Sequence, residues 1–208
     1  MKWILTVIAF FCAGIAAGLS GAVPDAWLAS DVSTIILYIL IIQVGLGIGM
    51  SDSIGKIFKS LDLSALLVPV ATVAGSLAFA ALLSVVLNGF SATECMALGS
   101  GFGYYSLSSV LISEIKEPIA GVQKAAELGM LALLANIFRE LIAIGLAPYL
   151  SNKFGRLSTV SAAGVTSMDV LLPTIVRYSG KETVPAALIN GIVLEILTPI
   201  LVCYFASL

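Results

Sequence analysis

No histidine occurs among the 208 residues, and only 11% of them are charged. The first absence removes Ser–His and Cys–His nucleophile pairs and imidazole-ligated metal sites, because each needs an imidazole as base or ligand. The second removes a water-soluble domain, in which about 25% of residues are charged and roughly 45–50% apolar; here 60% are hydrophobic. Ten Lys and Arg against twelve Asp and Glu leave no basic face for a nucleic-acid backbone to follow. Cysteine is also scarce. Cys12, Cys95 and Cys203 lie in or beside apolar runs without CxxC spacing, and read as small core residues rather than a disulfide framework or zinc site. No GxxxxGK[ST] motif is present, since Gly55-Lys56 has Met50 at the needed spacing and is followed by Ile57. ATP-driven transport within this chain is therefore excluded. An intramembrane protease fails too: Tyr104 stands after Gly101-Phe-Gly103 where an aspartate is required, and Ser100 has no base. The chain is not expected to be an enzyme, and no cofactor is expected.

What is present is an all-α polytopic membrane protein. A hydrocarbon core of roughly 30 Å takes about 20 helical residues to cross, and five runs meet that length: residues 3–19, 32–50, 61–87, 128–150 and 184–205. A cleaved signal peptide competes for the first run. A retained span is favoured, because Gly14 and Gly18 form a small-xxx-small pair that lets helices approach, and Gly45 and Gly49 repeat it in the second. Lys2 and the Lys56/Lys59 loop belong inside by the positive-inside rule, and the loop with Asp25 and Asp31 outside, as do Asn88 and Gly89.

Two further segments resist the span-length ruler. Residues 92–112 are broken by Gly99-Ser-Gly-Phe-Gly103, and residues 158–176 by Gly164-Val-Thr-Ser-Met-Asp169 with Pro173 beyond. If the first segment crossed, Lys153 and Arg156 would lie outside. A re-entrant dip from outside puts them inside and leaves a mixed loop from Glu114 to Glu127 external. The second broken segment then dips from the cytoplasmic side, and the C-terminus lies outside. The expected organisation is a three-span scaffold region, 1–90, followed by a transport region, 91–208, of two hairpin-plus-span repeats (91–150 and 158–208) in inverted orientation. Paired Gly/Pro-interrupted segments mark a secondary transporter's binding site, because non-helical backbone is tolerated at membrane depth only where it lines a cavity or is buried in protein.

Arg139, Glu140, Asp169 and Glu195 fall inside these segments. Each costs about 2.5–3.5 kcal/mol or more at the bilayer centre, so function is the default reading. One arginine cannot neutralise three carboxylates, which calls for a cation, a proton or a cationic substrate. Asn136 and Glu140 share a helix face, while Arg139 lies about 100° round from Glu140. Thr166 and Ser167 precede Asp169 and offer hydroxyls. Glu195, one turn before Pro199, suits a proton-bearing or packing role as well as a binding one.

Four stretches, residues 97–109 (ALGSGFGYYSLSS), 136–143 (NIFRELIA), 163–169 (AGVTSMD) with Leu172-Pro173, and 184–187 (VPAA), together resemble the bacterial lysine exporter family of the LysO type. The resemblance covers nearly the whole chain and implies export of L-lysine, and of toxic lysine analogues, across the bacterial inner membrane. It implies that longer members carry about three more spans, an extra ~90 residues, before the point where this chain begins. This chain is then the short form, completed by a small membrane protein or by homo-oligomerisation. Glu140 and Asp169 are the expected carboxylates for the lysine ammonium group or an exchanged proton, with Asn136, Thr166, Ser167 and Ser106 as neutral ligands. Gly101 and Gly103 would offer backbone N–H groups to the substrate carboxylate, and Arg139 would bind that carboxylate or pair with Asp169. Proton exchange is the expected coupling. A sodium-coupled transporter of another small amino acid or organic ion and a non-transporting membrane subunit are the alternatives.

Overall fold

The computed structural model describes residues 2–20, isolated positions between 35 and 46, and 66–208 apart from 88. The second expected span beyond those isolated positions, its Gly45/Gly49 pair, the Asp25/Asp31 and Lys56/Lys59 loops and Asn88 lie outside the described residues. The described residues are helical, with no strand among them.

The first apolar run forms α1, Lys2–Leu19. Among the described residues nothing packs within 4 Å of a side chain built at Gly14 or Gly18, so that small-residue pair is open. The third run yields α2, Leu67–Leu83, which buries Val68, Pro69 and Thr72.

The first broken segment follows. α3, Ala92–Gly99, starts from a capping box: Ser91 Oγ accepts from the Glu94 N–H at 3.1 Å, and Glu94 Oε2 accepts from the Ser91 N–H at 2.8 Å. After a break at residues 100–104 the chain resumes as α4, Tyr105–Ala120, and then as the long α5, Val122–Phe154. The expected loop from Glu114 to Glu127 is thereby corrected to a single-residue turn at Gly121. Its Glu and Lys residues are good helix formers, and charge there marks a helix end rather than a loop. Ser109 Oγ donates to Gly129 O at 2.7 Å and Ser113 Oγ to Ala125 O at 3.4 Å, fixing α4 antiparallel to α5. At the start of α5, Lys124 Nζ donates to Gly89 O at 3.2 Å and sits 3.9 Å from the Phe90 ring centroid. The beginning of α3 and the end of α4 therefore share one end of α5: the chain runs in along α3, turns at the break, and runs back along α4.

The second broken segment repeats the arrangement at the other end of α5. α6, Leu157–Ala163, leads into a 3₁₀ turn, Gly164–Met168, and α7, Leu172–Ser179, opens with Pro173 in its first turn, where a missing N–H costs nothing. A 3₁₀ turn, Lys181–Thr183, then feeds α8, Val184–Ala206. Arg156 and Glu182 form an ion pair, and Ser151 Oγ donates to Tyr178 O at 2.8 Å. The mouth of this hairpin thus lies at the C-terminal end of α5, opposite the mouth of the first.

Packing follows the same division. Ala97, Leu107, Leu111 and Ile112 of the first hairpin bury against Leu128 and Ala132 of α5 and Val202 and Ala206 of α8. Val160, Ala163, Leu171 and Ile175 of the second bury against the other half of α5 at Ala143, the start of α8 at Ala187, and Val68 of α2. Phe102, Val165 and Leu194 form a third, smaller cluster where the hairpin tips meet. Val122–Phe154 and Lys181–Ala206 are each long and apolar enough to cross a bilayer; Leu67–Leu83 is apolar but shorter.

Candidate functional site

At 1.5 Å per residue α5 is about 50 Å long, and fourteen residues precede Asn136 and fourteen follow Glu140. The polar triplet Asn136, Arg139 and Glu140 is therefore central to the helix. In α8, eleven residues lie on either side of Glu195. Both long helices carry their carboxylate at mid-length, the depth at which the hairpin tips converge.

The tips touch directly: the Val165 N–H of the second donates to Phe102 O of the first at 2.9 Å. This approach requires glycine. Gly164, at φ +66°, packs its Cα against Phe102 O so closely that any Cβ would collide with it, and Gly103, at φ +99°, leaves only 3.3 Å between a built Cβ and Ala163 O. Phe102 itself is held at φ +45° with its side chain fully buried, a conformation a bulky residue keeps only when its surroundings enforce it.

Each tip is tied to the long helix that follows it by one buried asparagine. Asn136, 3% exposed, accepts from the Gly103 N–H at 2.7 Å and donates to Ser108 Oγ at 3.3 Å and Ala132 O at 2.8 Å. Asn190, fully buried in α8, donates to Gly164 O at 3.0 Å, to Ser167 Oγ at 3.2 Å and to Val160 O at 3.3 Å. Its Oδ1 accepts from Thr72 of α2 at 3.3 Å. Breaking a helix strands donors at one end and acceptors at the other. Asn136 satisfies a donor of the first tip, and Asn190 satisfies acceptors of the second.

Arg139 belongs to the same support. Its Nε donates to Ala162 O at 3.1 Å, Nη2 to Ser161 O at 3.0 Å and Nη1 to Ser76 Oγ at 3.0 Å. Two of these acceptors are the last carbonyls of α6, where the helix dipole also favours a cation. The guanidinium is turned away from Asp169 and borders an apolar groove between α2, α5 and α6 rather than the carboxylates.

Between the tips lies a cavity of about 270 Å³. Gly103, Tyr104, Tyr105 and Ser106 line it from the first hairpin, Thr166, Met168 and Asp169 from the second, and Glu140 and Glu195 from the long helices. Glu140 is 2% exposed, and its Oε1 has no hydrogen-bond partner among the described residues. The start of α4, whose residues Tyr105 and Ser106 face the cavity, has no side-chain cap. No basic side chain is among the described residues lining it.

The structure thus brings Glu140, Asp169, Thr166, Gly103 and Ser106 together. It directs Asn136, Arg139 and Ser167 elsewhere: Ser167, fully buried, donates to Ala187 O at 2.8 Å. Gly101 is buried against Asn136 rather than lining the cavity, and the Gly103 N–H is spent on Asn136 instead of being free for a carboxylate. Sequence reasoning missed Asn190 and the Thr72, Ser76 and Ser161 hydroxyls that complete the support. The available signal for Asn190 was an amide stranded in an apolar run, matching Asn136 in the preceding repeat. The hydroxyls carried none, since serine and threonine are common in apolar helices.

Residues 8–206 match the family model for the lysine exporter LysO. The chain is 34% identical over 202 residues to the lysine exporter LysO of Escherichia coli, an alignment covering 93% of this chain and 61% of that protein. It is 32% identical over 115 residues to a provisionally named lysine exporter of Haemophilus influenzae, covering 55% of this chain and 54% of that protein. The chain therefore spans little more than half the length of the curated relatives it matches. No solved structure matches it. On a match that runs through both hairpins and both long helices, the chain belongs to the LysO family of lysine exporters.

Proposed function

We propose that this chain forms the transport site of a secondary exporter that moves L-lysine across the bacterial inner membrane, with Glu140 and Asp169 as the carboxylates that hold its ammonium group. The observation that carries this reading is the buried Glu140 carboxylate, one oxygen of which has no partner among the described residues, in a cavity that also holds Asp169 and Glu195 and that no described basic side chain lines. An ionised carboxylate out of water without a partner costs several kcal/mol, so the site calls for a cation or a proton. A zwitterionic amino acid with a second ammonium group supplies two cations and one anion. The uncapped start of α4 is the natural place for the anion, since the first N–H groups of a helix and its dipole favour negative charge. Thr166 and Ser106 offer hydroxyls beside it, while Asn136 and Arg139 act by positioning the tips.

The hairpins are proposed to enter the bilayer from opposite faces. In support, their mouths lie at opposite ends of α5, and Lys153, Arg156, Arg177 and Lys181 cluster at the second; the positive-inside rule favours a cytoplasmic position for such a cluster. The end of α8 packs with the first hairpin, so this orientation would carry the C-terminus to the outside.

Coupling is proposed to be exchange for protons. Lysine leaving alone would carry positive charge against an inside-negative potential, at about 2.3 kcal/mol per charge per 100 mV. A carboxyl that takes a proton releases the ammonium group that its ionised form retains, so one site serves both ions in turn. Sodium is the weaker reading, because the Ser167 hydroxyl faces Ala187 O and does not join Thr166 and Asp169 in an oxygen cage.

The test is resistance of cells to a toxic lysine analogue. Glu140→Gln and Asp169→Asn are each expected to abolish protection while the protein stays in the membrane. Full protection by both variants would remove the assignment.

A further inference from the structure

Glu195 is the carboxylate that the reading above leaves without a task. It occupies the centre of α8, lines the same cavity as Glu140 and Asp169, and has no hydrogen bond or ion pair with any described residue. Asp169 is the electrostatic neighbour common to Glu140 and Glu195. Glu140 stands one turn beyond Asn136, the residue that holds Gly103, and so lies beside the tip that leads into α4. An α-amino acid whose carboxylate sits at the start of α4 would keep its α-ammonium close by, on the Glu140 side, because the two groups are separated only by Cα. A chain four methylenes long would then extend across the cavity, toward the long helix on its other wall.

We propose that Glu195 is the specificity-determining residue of this site, receiving the side-chain ammonium of a dibasic amino acid while Glu140 and the start of α4 hold its α-ammonium and α-carboxylate. The inference rests on the proposed lysine site and adds the choice of substrate to it. Three carboxylates facing one cavity exceed what a single ammonium group needs. A substrate with two spaced ammonium groups gives Glu195 a cationic partner of its own, beside the one held by Glu140. A neutral side chain of equal length would leave Glu195 desolvated and unpaired, the situation in which a polar site rejects an isostere lacking the matching group.

The experiment is binding of L-lysine and of L-norleucine, which has a methyl group in place of the terminal ammonium, to the full chain purified in lipid nanodiscs. Wild-type protein is expected to prefer lysine by about tenfold or more, the scale of one hydrogen bond to a charged group. Glu195→Gln should shrink that preference by about tenfold through weaker lysine binding, with norleucine binding unchanged within about twofold. An equal loss for both ligands, or no change for either, would overturn the proposal. So would a wild-type protein that binds the two ligands equally well, a result that needs no variant to fold. Failure of the underlying reading looks different: wild-type protein would bind neither ligand, or Glu140→Gln would bind lysine as wild type does.

Discussion

The two hairpin-plus-helix units share one plan and solve its central problem with opposite chemistry. In the first, three glycines at residues 99, 101 and 103 open the tip, and the following helix supplies an acceptor, Asn136 Oδ1, to the freed Gly103 N–H. In the second, the tip tightens into a 3₁₀ turn, and the following helix supplies donors from Asn190 Nδ2 to Gly164 O and Val160 O. Arg139 adds three more donors, two of them to carbonyls of the second hairpin. The first hairpin thus presents the N-terminal end of a helix to the cavity. In the second, the carbonyl-rich end of α6 is tied to the scaffold. Two units of one plan need not be chemically symmetric: a substrate with unlike ends favours a site whose halves differ.

This difference can be broken most severely at Asn190. Asn190→Leu would remove four buried hydrogen bonds at once, to Gly164 O, Val160 O and the Ser167 and Thr72 hydroxyls; Ser167, Thr72 and Val160 O keep other partners, and each lost bond costs about 0.5–1.5 kcal/mol. The expected outcome is loss of the protein from the membrane fraction. Asn136→Leu strands the Gly103 N–H and little else, since Ser108 Oγ also donates to Tyr104 O at 2.8 Å. That variant should stay in the membrane, melt lower by an amount equivalent to about 2 kcal/mol, and transport poorly. Comparing the two in thermal unfolding and membrane abundance ranks the hairpins; equal effects would contradict the asymmetry.

A smaller effect is expected at Arg139. Lysine keeps the charge but not the fork that reaches Ala162 O, Ser161 O and Ser76 Oγ together, so Arg139→Lys should cost about 1–2 kcal/mol. If Arg139 instead bound the substrate carboxylate, Arg139→Lys would weaken lysine binding without lowering the melting temperature. The smallest effects belong to the mouths. Arg156→Met removes an ion pair whose side chains are 64% and 58% exposed, and surface pairs contribute about 0–1 kcal/mol. Abundance and melting temperature should be nearly unchanged.

Both interruptions are legible in the sequence because their residues are chemically unsuited to a continuous helix: glycine at 99, 101, 103 and 164, proline at 173. Each stands before a long apolar run, and in the structure each break is followed by a long helix, α5 or α8. The carboxylates Glu140 and Asp169 are legible because charge is rare in such runs. What is not legible is pairing at a distance. Arg139 and Glu140 are adjacent, yet one faces the carbonyls of α6 and the other the cavity, a division that depends on where the second hairpin ends. The segment from Glu114 to Glu127 misleads because its charges suggest a loop, whereas α4 and α5 simply continue beyond the apolar depth before Gly121 turns the chain. Asn190 stands out as an amide alone in an apolar run, but its partners, Gly164 O and Val160 O, emerge only from the fold.

The central claim is that carboxylates between the two tips exchange lysine for protons. It is tested most directly by radiolabelled lysine transport in proteoliposomes of wild type and Glu140→Gln, under an imposed pH gradient and, separately, an imposed sodium gradient. Wild-type transport should follow the pH gradient, remain indifferent to sodium, and vanish in Glu140→Gln. Transport that follows sodium and ignores pH, or that persists undiminished in Glu140→Gln, would contradict it.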